Sequence, residues 1–360
     1  MRQPSTIKTN RVRSSVLILK FDNLQLVEAF AMQAARQTEV CRTWLNSMPW
    51  PLSLCTFLGL RAMLRSKLSY LVPLVLALLF TACGIDQKGM VLLKDESYHA
   101  RIFSTNKDGI SAPDGLLWRQ GKLFIADEGG SALRVWSANG GVQTLCDAKL
   151  GIMSPEDAVM DADGNLFFSD DDAGGVWQIT ANGHASLLAG KDKGLLSTEA
   201  IALAPSGEIL VGDGLKHQVC SVSRAGDVSV FLGSGYGIRK PESMVFDEAG
   251  NLYIADNEEQ TVYRLTPEMK LQRLLEKREF FSPETLWYAH GTLFITDSSN
   301  GKLYRFTPEE GLQTIAVFGG KLAAVNGLTM DEQGSIYVSV QTNLKRKIGY
   351  ILKLERELQP

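Results

Sequence analysis

Six glycines recur at nearly constant spacing through the second two thirds of the chain: Gly121, Gly164, Gly207, Gly250, Gly291 and Gly334, separated by 43, 43, 43, 41 and 43 residues. A period of this length marks a repeat architecture, in which each unit buries its apolar surface only against its neighbours. Each glycine opens the same kind of phrase, KLFIAD, NLFFSD, EILVGD, NLYIAD, TLFITD and SIYVSV. The β-branched and aromatic content of these phrases marks strands, and the preceding DADG, APSG, DEAG and DEQG are hairpin turns. A further strand follows in ALRVWS, GVWQIT, QVCSVS, TVYRLT and KLYRFT, and another in VQTLC, ASLLA, VSVFL, LQRLL and LQTIA. With the strand before the glycine, each repeat has four antiparallel strands, the blade of a β-propeller.

The expected fold is therefore all-β, a six-bladed β-propeller. The last repeat runs out of sequence after its third strand, near Gly349 to Leu354. Tyr98-His-Ala-Arg-Ile-Phe103 matches the fourth-strand phrase and stands before the first full repeat. Pairing the two would close the ring with an N-terminal strand and remove an open sheet edge. This bounds the propeller at residues 98–355, with a linker at 84–97 and a tail at 356–360.

The segment before it reads as an address. Arg65 and Lys67 precede the apolar run Leu68 to Phe80, and Thr81-Ala82-Cys83-Gly84 follows. Basic, apolar, then small residues is the order of a secretory signal, and thirteen residues broken by Pro73 are short for a membrane span. Residues 63–83 are expected to be that signal, with translation starting at Met63, so that residues 1–62 are an upstream extension outside the mature protein. Phe80 to Cys83 resembles a bacterial lipobox, which implies lipidation at Cys83 and an anchor in the cell envelope. Gly84 after the cysteine implies the periplasmic face of the outer membrane.

Charge separates along the same boundary. Residues 1–82 hold ten Lys/Arg against three Asp/Glu, whereas residues 83–360 hold 27 against 37, a balance of −10. That sign argues against a nucleic-acid partner. Cys146 and Cys220 fall in different blades and read as lone core thiols of a monomeric domain. The sequence contains no nucleophile elbow, phosphate loop or metal–thiolate motif, which sets aside serine hydrolases, NTPases and zinc enzymes.

In a propeller the innermost strand of each blade lines a central channel, and the residue just before it is expected at the channel mouth. Those residues are Asp114, Glu156, Glu199, Glu242, Glu284 and Asn326. Five carboxylates around one axis raise one another's pKa unless a cation compensates. Their all-oxygen donor set suits Ca²⁺, with Mg²⁺ or Mn²⁺ behind it. A second column, Asp127, Asp170, Asp213, Asp256 and Asp297, is expected to hold turns through backbone N–H groups. Asp171 and Asp172 read as a solvated acidic loop. His217 and Lys216, in a loop on the mouth side, are candidate substrate-binding residues. Trp118, Trp136, Trp177 and Trp287 read as blade packing.

The phrase from Lys240 to Asp256, KPESMVFDEAGNLYIAD, resembles the repeat of the NHL, gluconolactonase/regucalcin-like and strictosidine-synthase-like propellers. Asp114-Gly115-Leu116-Leu117-Trp118 is similar to the gluconolactonase-like phrase acid-Gly-Pro-any-Trp, with Asp for Glu and Leu for Pro. Val325-Asn326-Gly327-Leu328 is similar to its Pro-Asn-Gly-Leu phrase, displaced to the last blade. Glu199, Glu242 and Glu284 stand where that family tends to use Asn, Asn and Asp. The resemblance implies a divalent ion at the mouth and hydrolysis of a small lactone or ester, with Glu284 as general base and Glu242 beside it. Two other readings stay open: a strictosidine-synthase-like enzyme, and a periplasmic binding or scaffold propeller without catalysis.

Overall fold

The computed structural model describes residues 91–275, 282–319, 323–342 and 349–356. Cys83, the signal at 63–83 and the extension at 1–62 lie outside them. The described chain is a six-bladed propeller of four-stranded antiparallel blades. Blade 1 is β3 (Pro113–Arg119), β4 (Lys122–Asp127), β5 (Ala132–Ser137) and β6 (Gly141–Asp147). Blade 2 is β7 (Pro155–Met160), β8 (Leu166–Asp170), β9 (Gly175–Ile179) and β10 (Ala185–Ala189). Blade 3 is β11 (Thr198–Leu203), β12 (Ile209–Asp213), β13 (Gln218–Val222) and β14 (Val228–Leu232). Blade 4 is β15 (Pro241–Phe246), β16 (Leu252–Asp256), β17 (Thr261–Leu265) and β18 (Leu271–Leu275). Blade 5 is β19 (Pro283–Ala289), β20 (Thr292–Asp297), β21 (Lys302–Thr307) and β22 (Gly311–Phe318).

Blade 6 combines the two ends of the domain. β23 (Ala323–Met330), β24 (Ile336–Thr342) and β25 (Gly349–Arg356) are completed by β2 (Tyr98–Thr105), which pairs with β25 from Tyr98↔Arg356 to Thr105↔Tyr350. The closing strand expected from the sequence is thus in place. One strand was not foreseen. β1 (Val91–Leu93), in the stretch read as linker, adds a fifth strand to blade 5, with Val91 opposite Phe318.

Both faces of every blade are buried against a neighbour, so the second strands are apolar without alternation. Phe167 and Phe168 are adjacent and both fully buried, yet Phe167 packs in the core between blades 2 and 3 and Phe168 in the core between blades 1 and 2. Six such clusters, one per blade interface, make up the core among the described residues. At the closure, Trp118 stacks on Tyr337 at 4.9 Å and Phe103 meets Trp136 edge-on at 4.7 Å. Cys146 and Cys220 are free and buried, and burial pushes the Cys146 thiol up to about 12.

Candidate active site at the channel mouth

The mouth residues do not sit just ahead of the innermost strands, as the sequence reading had it. Each is the second residue of a register shift within its strand. In β3, Pro113 pairs with Asp127 and the next pair is Leu116 with Ile125, leaving Asp114 and Gly115 out of register. Glu156, Glu199, Glu242, Glu284 and Asn326 stand at equivalent irregularities in β7, β11, β15, β19 and β23. A bulge re-aims side chains, and repeating it around the ring turns six residues toward one axis.

Two devices hold the bulges. In blades 2, 5 and 6 a serine or threonine on the second strand receives the bulge N–H of its own blade and donates to the carbonyl of the next blade's mouth residue. Gly327 N donates to Ser339 Oγ at 2.6 Å, and Ser339 Oγ donates to the Asp114 carbonyl at 2.6 Å. Thr296 does the same between Thr285 and Asn326, and Ser169 between Asp157 and Glu199. The second-strand aspartates are the other device. Asp127 accepts from Ser111 N and Ala112 N at 2.8 and 2.9 Å, and Asp170 and Asp256 hold the loops before β7 and β15 in the same way. Their expected structural role is seen, extended from the following turn to the loop that precedes the mouth.

The ring resolves into local groups. Asn326 Nδ2 donates to Asp114 Oδ2 at 2.9 Å. Lys240 Nζ lies 2.7 Å from Glu242 Oε1 and 3.1 Å from Glu199 Oε1. Its stem passes over Gly214, where a Cβ would come within 3.2 Å of Lys240 Cγ. Glu284 Oε2 accepts from Asn257 Nδ2 at 3.4 Å, and Glu156 Oε1 from Ser154 Oγ at 2.9 Å. Glu156, Glu199 and Asp171 bring carboxylate oxygens within 4.8 Å of one another. Asp171, read from the sequence as part of a solvated loop, therefore belongs to the mouth. Of the substrate-binding candidates, His217 Nδ1 is 2.7 Å from the Arg239 carbonyl oxygen and Lys216 Nζ donates to the Gly194 carbonyl.

Burial dominates the electrostatics. It pushes Asp114 up to about 8, reinforced by Glu128 and Glu199 and opposed by the Asn326 bond. Glu199, Glu242 and Glu284 are likewise raised to about 8, by burial first and then by Glu242, Glu284 and Asp114 respectively. Glu156 stands well above the usual carboxylate range through burial and the charges of Asp114 and Glu199. Just below the ring, Asp157 is raised to about 7 by burial. Burial would lower Lys240, but Glu242 and Glu199 hold it above the ordinary lysine range.

Away from the mouth, one side chain reaches across the ring. Trp287, on β19, packs against the core between blades 5 and 6 and also against the core between blades 1 and 2, so its indole crosses the axis. Arg119, from β3, lies 5.5 Å from the Trp287 ring. This is more than the blade packing expected of Trp287. Among the described residues, the acidic neck lies at one end of the ring and Trp287 with Arg119 further along the axis.

No protein-family model matches the chain, and comparison with curated proteins finds no match. Solved structures do match. A putative gluconolactonase superposes with a TM-score of 0.58 at 14% identity, covering 74% of this chain and 95% of its own. A gluconolactonase from Xanthomonas campestris gives 0.57 at 17% identity, over 72% and 90% of the two chains. A streptogramin B lyase gives 0.55 at 14% identity, over 72% and 98%. At these identities the likeness establishes a shared six-bladed fold.

Proposed function

We propose that the chain is a divalent-cation-dependent hydrolase of a small lactone or ester, held in a cell envelope by a lipid at Cys83. The observation that carries the reading is the donor set at the neck: Glu156, Asp171 and Glu199 offer oxygens within 4.8 Å of one another, among further carboxylates whose ionisation burial opposes. A hard cation of the Ca²⁺ or Mn²⁺ kind suits oxygen-only ligands and relieves that opposition. The gluconolactonase structures with the same fold support the reaction class. The basic, apolar and small-residue order ending at Cys83 supports the anchor.

Such an ion, when bound, polarises a carbonyl and steadies the oxyanion formed when water adds. The chain's own residues do the rest. Glu284, oriented by Asn257 and raised to about 8, is a base matched to taking a proton from water near neutral pH. Glu242 is held by Lys240 and positions that ammonium at the neck rather than acting as a second base. Trp287, reaching across the ring, favours substrate on the mouth side.

The test couples calcium-dependent melting to a screen of lactones and esters. Calcium should raise the melting temperature, since a ligand bound only by the folded state stabilises it. Glu284→Gln should abolish turnover and keep the calcium effect. Stabilisation without turnover of any lactone or ester would assign the propeller to binding; indifference to Ca²⁺, Mg²⁺ and Mn²⁺ alike would remove the metal reading.

A further inference from the structure

Two loops at the neck carry an exposed apolar side chain beside a buried one. Met153 and Leu196 stand three residues before the mouth carboxylates Glu156 and Glu199 and are 52% and 40% exposed, whereas their neighbours Ile152 and Leu195 are 1% and 0% exposed. Both exposed residues sit on a fixed backbone. Their N–H groups donate to Asp170 Oδ2 and Asp213 Oδ2 at 2.9 and 3.0 Å. They also bracket the oxygen cluster: Asp171 N donates to the Ser154 carbonyl at 2.9 Å, and Ser197 Oγ donates to Asp171 Oδ1. Asp171 is thus held between the residue after Met153 and the residue after Leu196. The turn that carries it packs on the second loop, where a Cβ on Gly174 would come within 2.5 Å of the Leu196 carbonyl oxygen. Leu215, 69% exposed, extends the strip, since it follows Gly214, whose N–H donates to the Ser197 carbonyl at 3.0 Å.

The apolar choice belongs to these blades. Blades 1, 4 and 6 have Ser111, Arg239 and Ala323 where blades 2 and 3 have Met153 and Leu196, and blade 5 has Phe281, outside the described residues. Blades 1, 2 and 4 have Gly129, Asp172 and Glu258 where blade 3 has Leu215. Charge along the strip is balanced: the segments 147–154, 171–174, 190–197 and 214–217 hold four lysines and four aspartates. Lys191 and Lys216 turn their ammonium groups onto the carbonyls of Asp172 and Gly194, within the loops themselves. A negative group would meet the acids of the neck, and the strip gives it no net attraction. What the strip offers is area for an uncharged apolar group next to the oxygen cluster.

We propose that this strip seats an apolar arm of the substrate, with Met153, Leu196 and Leu215 as specificity-determining residues. The site then takes uncharged lactones or esters that carry an aliphatic chain, in preference to hydroxylated sugar lactones. The inference rests on the hydrolase reading above and names its substrate class. With the reacting carbonyl at the oxygens of Glu156, Asp171 and Glu199, an arm that leaves the neck on their side passes onto these side chains, and its burial there holds the reacting end in place.

Titration calorimetry tests it on the full-chain Glu284→Gln protein in calcium, which should hold lactones without turning them over. The ligands are γ-lactones of increasing straight-chain length. Affinity should rise about twofold per added methylene, since a fully buried methylene contributes roughly fourfold and the strip covers about half of each. Met153→Ser and Leu196→Ser together, on that background, should remove the gain; both side chains are half exposed, so the fold tolerates the change. Leu145→Ser, Leu187→Ser and Val230→Ser together, on the outermost strands β6, β10 and β14, should retain it. Affinity independent of chain length, an equal gain in the Met153 and Leu196 double variant, or tighter binding of glucono-δ-lactone than of γ-decalactone would overturn the proposal. Turnover by the unsubstituted protein is measured apart. Graded binding without turnover would remove the hydrolase reading and leave the apolar seat standing.

Discussion

Asp157 is the half-buried acid whose removal reads most directly on the electrostatics of the neck. Its carboxyl lies just below the ring, accepts a hydrogen bond from Ala158 N at 2.8 Å, and is raised by burial from 3.8 to about 7. Because the folded pKa exceeds the unfolded one, the folded state holds an extra proton between about pH 4 and 7, and stability falls as pH climbs through that window. The loss is complete above the folded pKa. That rise corresponds to a ceiling of about 4 kcal/mol, and the partial exposure of the side chain reduces this to about 2 kcal/mol. Asp157→Asn keeps an oxygen for Ala158 N and removes the ionisation. Urea unfolding of metal-free protein should therefore give wild type and variant nearly equal stability at pH 4, and a variant more stable by about 2 kcal/mol at pH 8. An advantage independent of pH, or a variant weaker throughout, would refute the burial argument.

Two other perturbations follow from the sequence and the bulges. Gly327→Ala places a Cβ 2.1 Å from the Asp114 carbonyl oxygen and should cost about 3 kcal/mol in urea unfolding, whereas Gly235→Ala, with open space around it, should stay within about 0.5 kcal/mol. Cys83→Ala should end labelling by radioactive fatty acid and move the protein out of the membrane fraction on washing; an unchanged distribution would argue for attachment without lipid.

The blades were legible because their signals are local. A glycine turn followed by a strand ending in aspartate repeats within each 43-residue unit, and Tyr98 to Phe103 carries the fourth-strand phrase wherever it stands in the chain. The identity of the mouth column was legible for the same reason. Its geometry was not, because the register shifts depend on contacts with the next blade, such as Ser339 to Asp114, 225 residues apart in sequence. Lys240 shows the limit well. Ser154-Pro-Glu and Ser282-Pro-Glu in two blades become Lys240-Pro-Glu in a third, a visible substitution. What sends its ammonium to Glu199 is the missing side chain of Gly214 in the neighbouring blade. Trp287 left no trace in the repeat at all, since its reach across the axis to blades 1 and 2 has no counterpart in the other innermost strands.

That indole has a kinetic meaning. A ring open along its whole axis would let a ligand pass through; Trp287, reaching across it with Arg119 beside its ring, stands in that route, so under the proposed reaction substrate and product are expected to use the mouth side alone. Bound product would then stand in the way of the next substrate, and a cover over the mouth would slow entry and exit by the same factor, lengthening residence without changing affinity.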